Sequence, residues 1–489
     1  MPSLLPSLLF FVALFDPAEN GDVPHARAAP PAARAAPSTD DAAEEQARKL
    51  KTIFHNLRFE EDWTALADEA VTTDHRMPAI KHIEVADGWS TSFGGQYRYR
   101  YMDESNRSLM GTVPGHNTFS LNRIRLHGEL RAEGQARLFI EILDAGIRGE
   151  EAAPAPIDRQ NRDIHNAFIE LLADPELRLR LGRTELQYGA QRLVSPLDWG
   201  NTRRTFQGGV LQLFGEGVKV DLFAVHPVAV EPRGHDDVLH NQWFRGVWAT
   251  WSDGPGATLD TYLLALNDDD RTYTAGDGGM GKLDLYTAGL RGAGRNGDLD
   301  GEAEVAWQFG ERAGDRVDAW AWTLRGGATL PDVPLAPRVG LDLDFASGDR
   351  DATDSKLGTF QQLFPLGHAW LGYLDLVGRQ NIFAVMPTVT LRTTDTTSVR
   401  VAWARFQLVS DSDALYNAGG KATLVDPGGT SGDHVGDEWD LTLAWKPRDL
   451  APHGEFLLGW SHFRPGRFAK ATGDGEAATL LYLQYTHTF

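Results

Sequence analysis

The side chains of this 489-residue chain best suited to chemistry are arginines at alternating positions. Arg98 and Arg100, Arg123 and Arg125, and Arg178 and Arg180 stand two residues apart, and Arg137 lies between the last two pairs. In an extended chain that spacing puts both members of a pair on one face. Guanidinium is a planar fork that grips a carboxylate through two hydrogen bonds, whereas a Lys offers only a point charge. Only nine of the 47 basic residues are Lys. Such a ladder would guide a uronate polymer or a small carboxylate. The same arginines could instead pair with acids and brace the fold, and GC-rich coding also enriches Arg. A second polar group follows Arg183: Arg192, Asp198, Trp199, Asn201, Arg203 and Arg204 crowd the segment 192–208. In a loop, where functional residues concentrate, Arg203 and Arg204 could hold an anion while Trp199 stacks on a ring. Alternatively, Asp198 and Arg204 would only lock the loop in place.

Other chemistries find little support. The chain has no Cys, which removes disulfides, thiol nucleophiles and cysteine–metal sites. Neither a Gly-x-Ser-x-Gly elbow nor a His-Glu-x-x-His motif occurs. Two Gly-x-Gly-x-x-Gly matches, at 276–281 and 292–297, sit between strands instead of opening a helix, so hairpin loops are expected. Acidic clusters at 267–270 and 298–301 lack the spaced ligands and distal Glu of a calcium loop. The 15 histidines are scattered, and His368, beside a turn, reads as a packing residue. A net charge of −21 argues against nucleic acid as a partner. No catalytic residue, metal or cofactor is assigned.

The elements that must carry the arginines are strands. Alternation of apolar and polar residues recurs from Trp89 onward, as in Tyr97/Tyr99/Tyr101, Leu138/Ile140/Ile142, Val339/Leu341/Leu343 and Trp439/Leu441/Leu443. The last run puts Leu481, Leu483, Tyr485, His487 and Phe489 on one face. An aromatic at the end of such a strand is usual in bacterial outer-membrane β-barrels, where it is a tag for the insertion machinery. Mean hydropathy is only −0.33, which suits a barrel, since a barrel spreads its apolar residues one in two. Connections alternate between short ones (133–134, 173–175, 215–217, 253–256, 394–396, 447–453) and long polar ones (146–163, 187–205, 228–241, 266–279, 347–380, 410–437). Short periplasmic turns and long extracellular loops give that alternation. The connection at 312–315 is short where a long one is due. The expected fold is therefore all-β: a transmembrane antiparallel β-barrel of about 18 strands over 88–489. Residues 1–35 read as a signal peptide and small-residue linker, with no basic residue before the apolar stretch at 4–14. Residues 36–87 read as a periplasmic extension with a short helix over 40–57. With apolar faces toward lipid, the arginines above line the lumen. Asp221, Asp260, Asp284, Glu304, Asp318, Asp342, Asp344 and Asp440 form an acidic wall opposite.

Three segments carry a family resemblance. The first is Leu57, Arg58, Phe59, Glu60, Glu61, Asp62 and Trp63, with Lys81, Phe93, Gly94, Gly95 and Arg98. The second runs from Leu179 to Gly208 through Arg183, Glu185, Tyr188, Gly189, Arg192, Asp198, Trp199, Gly200, Asn201, Arg203, Arg204 and Phe206. The third is Ala346, Ser347, Gly348 and Asp349, then Phe360, Pro365, Gly367, His368, Gly372, Asp375 and Asn381. Together with the last strand, these residues resemble the bacterial alginate-export porin family. The resemblance implies an 18-stranded outer-membrane barrel with long loops folded over or into its lumen. The function expected is a channel for export or diffusion of an alginate-like anionic polysaccharide or a small carboxylate. Its partners are outer-membrane lipid, the barrel-insertion machinery and periplasmic export proteins. A general or hydrocarbon-type porin is the alternative in the same place, and an outer-membrane hydrolase is the alternative of another class.

Overall fold

A computed structural model of the chain describes residues 54–64, 79–111, 115–174, 176–253, 256–276, 278–447 and 453–489. The signal segment and the expected helix over 40–57 fall almost wholly outside these residues. Eighteen antiparallel strands close into one barrel. In chain order they are β1 Trp89–Ser105, β2 His116–Ala132, β3 Ala136–Arg148, β4 Gln160–Asp174, β5 Leu177–Thr184 and β6 Phe206–Gly215. Then come β7 Val218–Ala229, β8 Gln242–Ser252, β9 Ala257–Thr274, β10 Met280–Asn296, β11 Leu299–Arg312 and β12 Asp315–Thr329. The last six are β13 Arg338–Ala346, β14 Ile382–Thr394, β15 Thr397–Leu408, β16 His434–Trp445, β17 Gly454–Pro465 and β18 Ala478–Thr488. Each strand pairs with its chain neighbours, and β18 pairs with β1 from Thr488 opposite Gln96 to Thr479 opposite Ser105. Closure leaves no edge of the barrel wall unpaired among the described residues, which a lipid interior demands.

The period-two pattern decides the two faces. Leu126, Ile140, Ile169, Leu263, Leu341 and Leu483 point outward and stay exposed, while Arg125, Arg137, Glu170, Asp260 and Asp342 point inward and are buried. An apolar band of this extent on a protein surface is a lipid contact. Phe489 extends the seam past β18: its N–H donates to the Gly95 carbonyl at 3.0 Å, and the Gly95 N–H returns to the Phe489 carbonyl at 2.8 Å.

Three expectations need correction. Asp284 and Asp318 face outward, not into the lumen: they share parity with exposed Tyr286 and Trp320, and Leu283, Leu285, Val317 and Ala319 point in. Both acids sit at the loop-bearing ends of β10 and β12, beyond the lipid, where the outer face no longer has to be apolar. Asp318 there accepts from the Trp307 indole N–H at 3.0 Å. Segment 266–279 is mostly strand, because β9 runs on to Thr274 and stays paired with β10. Arg183 lies on the outward parity of β5, near the same rim, where its guanidinium donates to the Ile164 carbonyl at 3.1 Å.

The inner face is not uniformly polar. Phe206, Phe223, Phe244, Trp248, Tyr262 and Leu264 line one side and pack against residues of two loops that enter the barrel, 185–205 and 347–381. The loops join where Val194 bridges Phe364 in parallel, with the Phe364 N–H donating to the Leu193 carbonyl at 2.9 Å. Loop 185–205 leaves from a narrow point. Gly182 of β5 pairs with Gly208 of β6, and Gly182 has a φ of 135°, a conformation that other residues avoid. A Cβ there would run into the Ala167 carbonyl oxygen.

Candidate functional site

The two inward loops meet the arginine wall in mid-lumen. Arg98 donates to the carbonyls of Asp198 (2.6 Å) and Gly200 (2.5 Å). Arg100 donates to the Trp199 carbonyl at 3.0 Å and to Gln484 Oε1 at 2.8 Å. Arg123 reaches the Gly200 carbonyl at 3.2 Å and the Asp198 carboxylate at 2.8 Å. Three guanidinium groups from two adjacent strands thus converge on three consecutive loop residues. Arg203, inside the loop, pairs with both Asp198 and Glu185. Glu185 also meets His165 at 2.8 Å and Arg125 at 3.7 Å, and Arg125 grips Glu141 through two bonds of 2.9 and 3.1 Å. Arg204 donates to the Ser195 carbonyl at 3.1 Å, and Arg192 pairs with Glu302 and Glu304.

Asp198 is the one carboxylate here that still meets the lumen, with 42% of its side chain accessible. Burial works against its charged form, but Arg123, Arg203 and Arg98 together hold the carboxyl well below the usual carboxylate range. Trp199 lies flat between Arg100, whose guanidinium carbon is 3.6 Å from the ring centre, and His368, 3.5 Å away and nearly parallel. The stack continues from His368 to Tyr373 at 4.6 Å, and Arg400 of β15 donates to the Tyr373 hydroxyl at 3.1 Å. Asp375 accepts from the Trp199 indole at 3.2 Å and lies 3.2 Å from His368 Nδ1. Burial pushes the His368 ring below its ordinary pKa against the pull of Asp375.

The mouth at the short-turn end of the same lumen, the periplasmic end by the turn-length rule for such barrels, holds residues 54–64. Phe59 packs edge-on against Phe139 (5.8 Å) and Phe168 (5.2 Å) from β3 and β4, and the Arg180 guanidinium covers it at 4.2 Å. Arg137 donates to the Phe59 carbonyl at 2.6 Å and pairs with Glu170 at 2.5 Å. Arg58 pairs with Glu61 at 2.6 Å and donates to the Phe489 carbonyl at 3.1 Å. Asn56 then touches the loop: its amide donates to Gln187 at 2.7 Å and accepts from Arg203 at 3.1 Å. A chain of polar contacts therefore runs from the periplasmic mouth to the extracellular loop.

Of the arginines singled out in the sequence, Arg98, Arg100, Arg123 and Arg125 gather around the loop that carries Arg203. Arg180 sits lower with Phe59, Arg192 lies across the lumen against β11, and Arg178 faces inward with its guanidinium 5.2 Å from the Phe214 ring. Sequence reasoning missed Tyr373, Asp375, Arg400 and the lumen position of Phe59, whereas His368, read there as a packing residue, does pack on Trp199 and Tyr373. His368, Asp375 and Phe59 all stood in the segments that carry the family resemblance, which was the available signal.

The alginate-export family profile matches residues 90–482, spanning nearly the whole barrel. No curated protein matches the chain. Among solved structures it resembles the Pseudomonas aeruginosa protein OpdO at 12% identity and a TM-score of 0.55, covering 82% of this chain and 97% of that one. It also resembles OprD, an outer membrane protein of the same organism, at 11% identity and a TM-score of 0.52, with 82% and 94% covered. At these identities the likeness speaks for the barrel fold. Barrel, inward loops and profile agree: the chain belongs to the alginate-export family and forms a channel in the bacterial outer membrane.

Proposed function

We propose that the channel passes anionic saccharides, alginate-like uronates foremost, or small carboxylates along the arginine-lined side of its lumen. The observation that carries this reading is an imbalance of charge around loop 185–205. Arg98, Arg100, Arg123, Arg125 and Arg203 meet only the carboxylates of Glu141, Glu185 and Asp198. Arg98 and Arg100 are held mainly by neutral carbonyls, and Arg98 Nε, Arg100 Nη2 and Arg123 Nε have no acceptor among the described residues. A carboxylate is a stronger acceptor for a guanidinium than a neutral carbonyl, because it adds the attraction of opposite charges. A passing uronate can therefore take over donors that the loop holds weakly, and the loop can swing aside without leaving guanidinium groups bare. Arg178, Arg180, Arg192 and Arg204 belong to the walls of this path in the same reading, and Trp199, with Arg100 on one face and His368 on the other, anchors the docked loop.

The test is current block in planar bilayers by oligouronates and by neutral oligosaccharides of equal length. The uronates should block at concentrations about tenfold lower in dilute salt, and the gap should shrink in 1 M salt, where the Debye length falls to about 3 Å. The double variant Arg98→Gln, Arg123→Gln should remove most of the difference. Equal block by charged and neutral sugars in the unmodified channel would make it a general porin, with the arginines as braces.

A further inference from the structure

The outer face of β15, β16 and β17 carries a charged row directly above an aromatic one. Register sets Arg405 opposite Asp437, and Asp437 opposite Arg464. Two residues nearer the membrane centre, the row is Trp403, Trp439 and His462, and the next is Val401, Leu441 and Trp460. Successive same-face rows lie about 7 Å apart along a strand. Outward aromatics mark the boundary between hydrocarbon and headgroups, so the charged row stands at headgroup level. It lies at the loop-bearing end of the barrel, which faces the outer leaflet.

The helix Arg467–Thr472, which follows β17, leans over this row. His434, Asp437, Arg464, Pro465, Arg467 and Lys470 line a cleft of about 600 Å³. Its lining has one carboxylate, Asp437, and that group already accepts from Arg405 at 2.8 Å. Arg467 donates to the Thr430 carbonyl at 3.3 Å, and Arg464 and Lys470 have no acidic partner among the described residues. Three cations thus open onto the cleft with little internal compensation.

We propose that this cleft binds the phosphate groups of a phosphorylated glycolipid of the outer leaflet, with the acyl chains lying on the apolar rows beneath. Guanidinium and ammonium groups at headgroup height suit phosphate, with Arg able to hold it through two bonds. The apolar rows favour a lipid over a soluble phosphate, since exposed Leu441, Leu458 and Trp460 continue straight down from the cleft. The site lies on the outside of the wall and is independent of what the lumen carries.

The test uses the full-length barrel, purified in detergent, freed of lipopolysaccharide and titrated with bisphosphorylated lipid A under native mass spectrometry. Arg464→Gln, Arg467→Gln and Lys470→Gln together should weaken binding at least about tenfold, given the pull of each cation at a membrane surface. Arg467→Gln with Lys470→Gln, both outside the strands, should weaken it about fivefold even if the triple variant assembles poorly. Arg245→Gln, an isolated rim cation on β8, should change nothing. Equal binding by the unmodified and variant barrels would overturn the proposal. So would equal binding of dephosphorylated lipid A, or displacement of the lipid by inorganic pyrophosphate at matched concentration.

Discussion

Replacing Asp198 with Asn tests the junction most directly, because it removes one charge and almost no volume. The carboxylate takes one bond from Arg123 at 2.8 Å and another from Arg203. An amide oxygen can keep both bonds, each weaker without the carboxylate charge. A fully buried pair broken on one side would cost about 3–5 kcal/mol. Here 42% of the Asp198 side chain is accessible, and Arg203 keeps Glu185, so the penalty falls to about 1–2 kcal/mol. That energy shifts the balance between held and released loop by roughly 5–30-fold. The lumen cluster gains one positive charge at the same time. Single-channel recordings of Asp198→Asn should show more frequent excursions to a higher conductance, and reversal potentials in dilute salt should move toward anions. Raising the salt should erase the second effect and leave the first. If neither changes while the barrel assembles normally, the carboxylate holds no loop and faces no ion path, and the reasoning fails.

The mouth segment offers two further tests. Phe59→Ala removes a ring that is 1% exposed and packs on Phe139 and Phe168, a loss of about 3–5 kcal/mol. Conductance should rise and protease should reach Arg58, while the heat-modifiable mobility of the barrel stays; unchanged conductance would put the segment outside the conducting path. The second test is pH. Burial raises the Glu61 carboxyl to about 7 against the pull of Arg58 and Lys81, whereas a released segment would titrate near the ordinary 4.5. Between those values the docked state binds more protons, so docking is strongest in acid and weakens as the pH rises toward about 7. Protease access to 54–64 should therefore grow from pH 5 to pH 7.5, and Glu61→Gln should flatten the curve. An equally steep curve in the Gln variant would assign the titration to another group.

Much of the architecture was legible because a barrel wall has a strict local rule. Wherever a strand crosses lipid, one residue in two must be apolar, so Leu138/Ile140/Ile142 or Val339/Leu341 fix which way Arg137 and Asp342 point. The rule fails where the constraint ends. Asp284, Asp318 and Arg183 lie on strand ends that rise beyond the lipid, and there a polar side chain can face outward at no cost. The stretch 266–279 was misread for the same reason: its acids suggest a loop, yet backbone pairing alone carries β9 upward.

The sequence by itself determined the barrel, its approximate strand number, the alternation of short and long connections and the inward aim of Arg98, Arg100, Arg123 and Arg125. These follow from period-two alternation and turn spacing, both local properties of the chain. Only the tertiary structure decided what those arginines meet. Arg98 finds the carbonyls of Asp198 and Gly200 about a hundred residues away, and Trp199 finds His368 from a second loop. Phe59 enters the periplasmic mouth from outside the wall altogether. Such contacts depend on how far each loop reaches into a closed space. Closure brings distant segments together across the lumen, and no spacing along the chain records that distance.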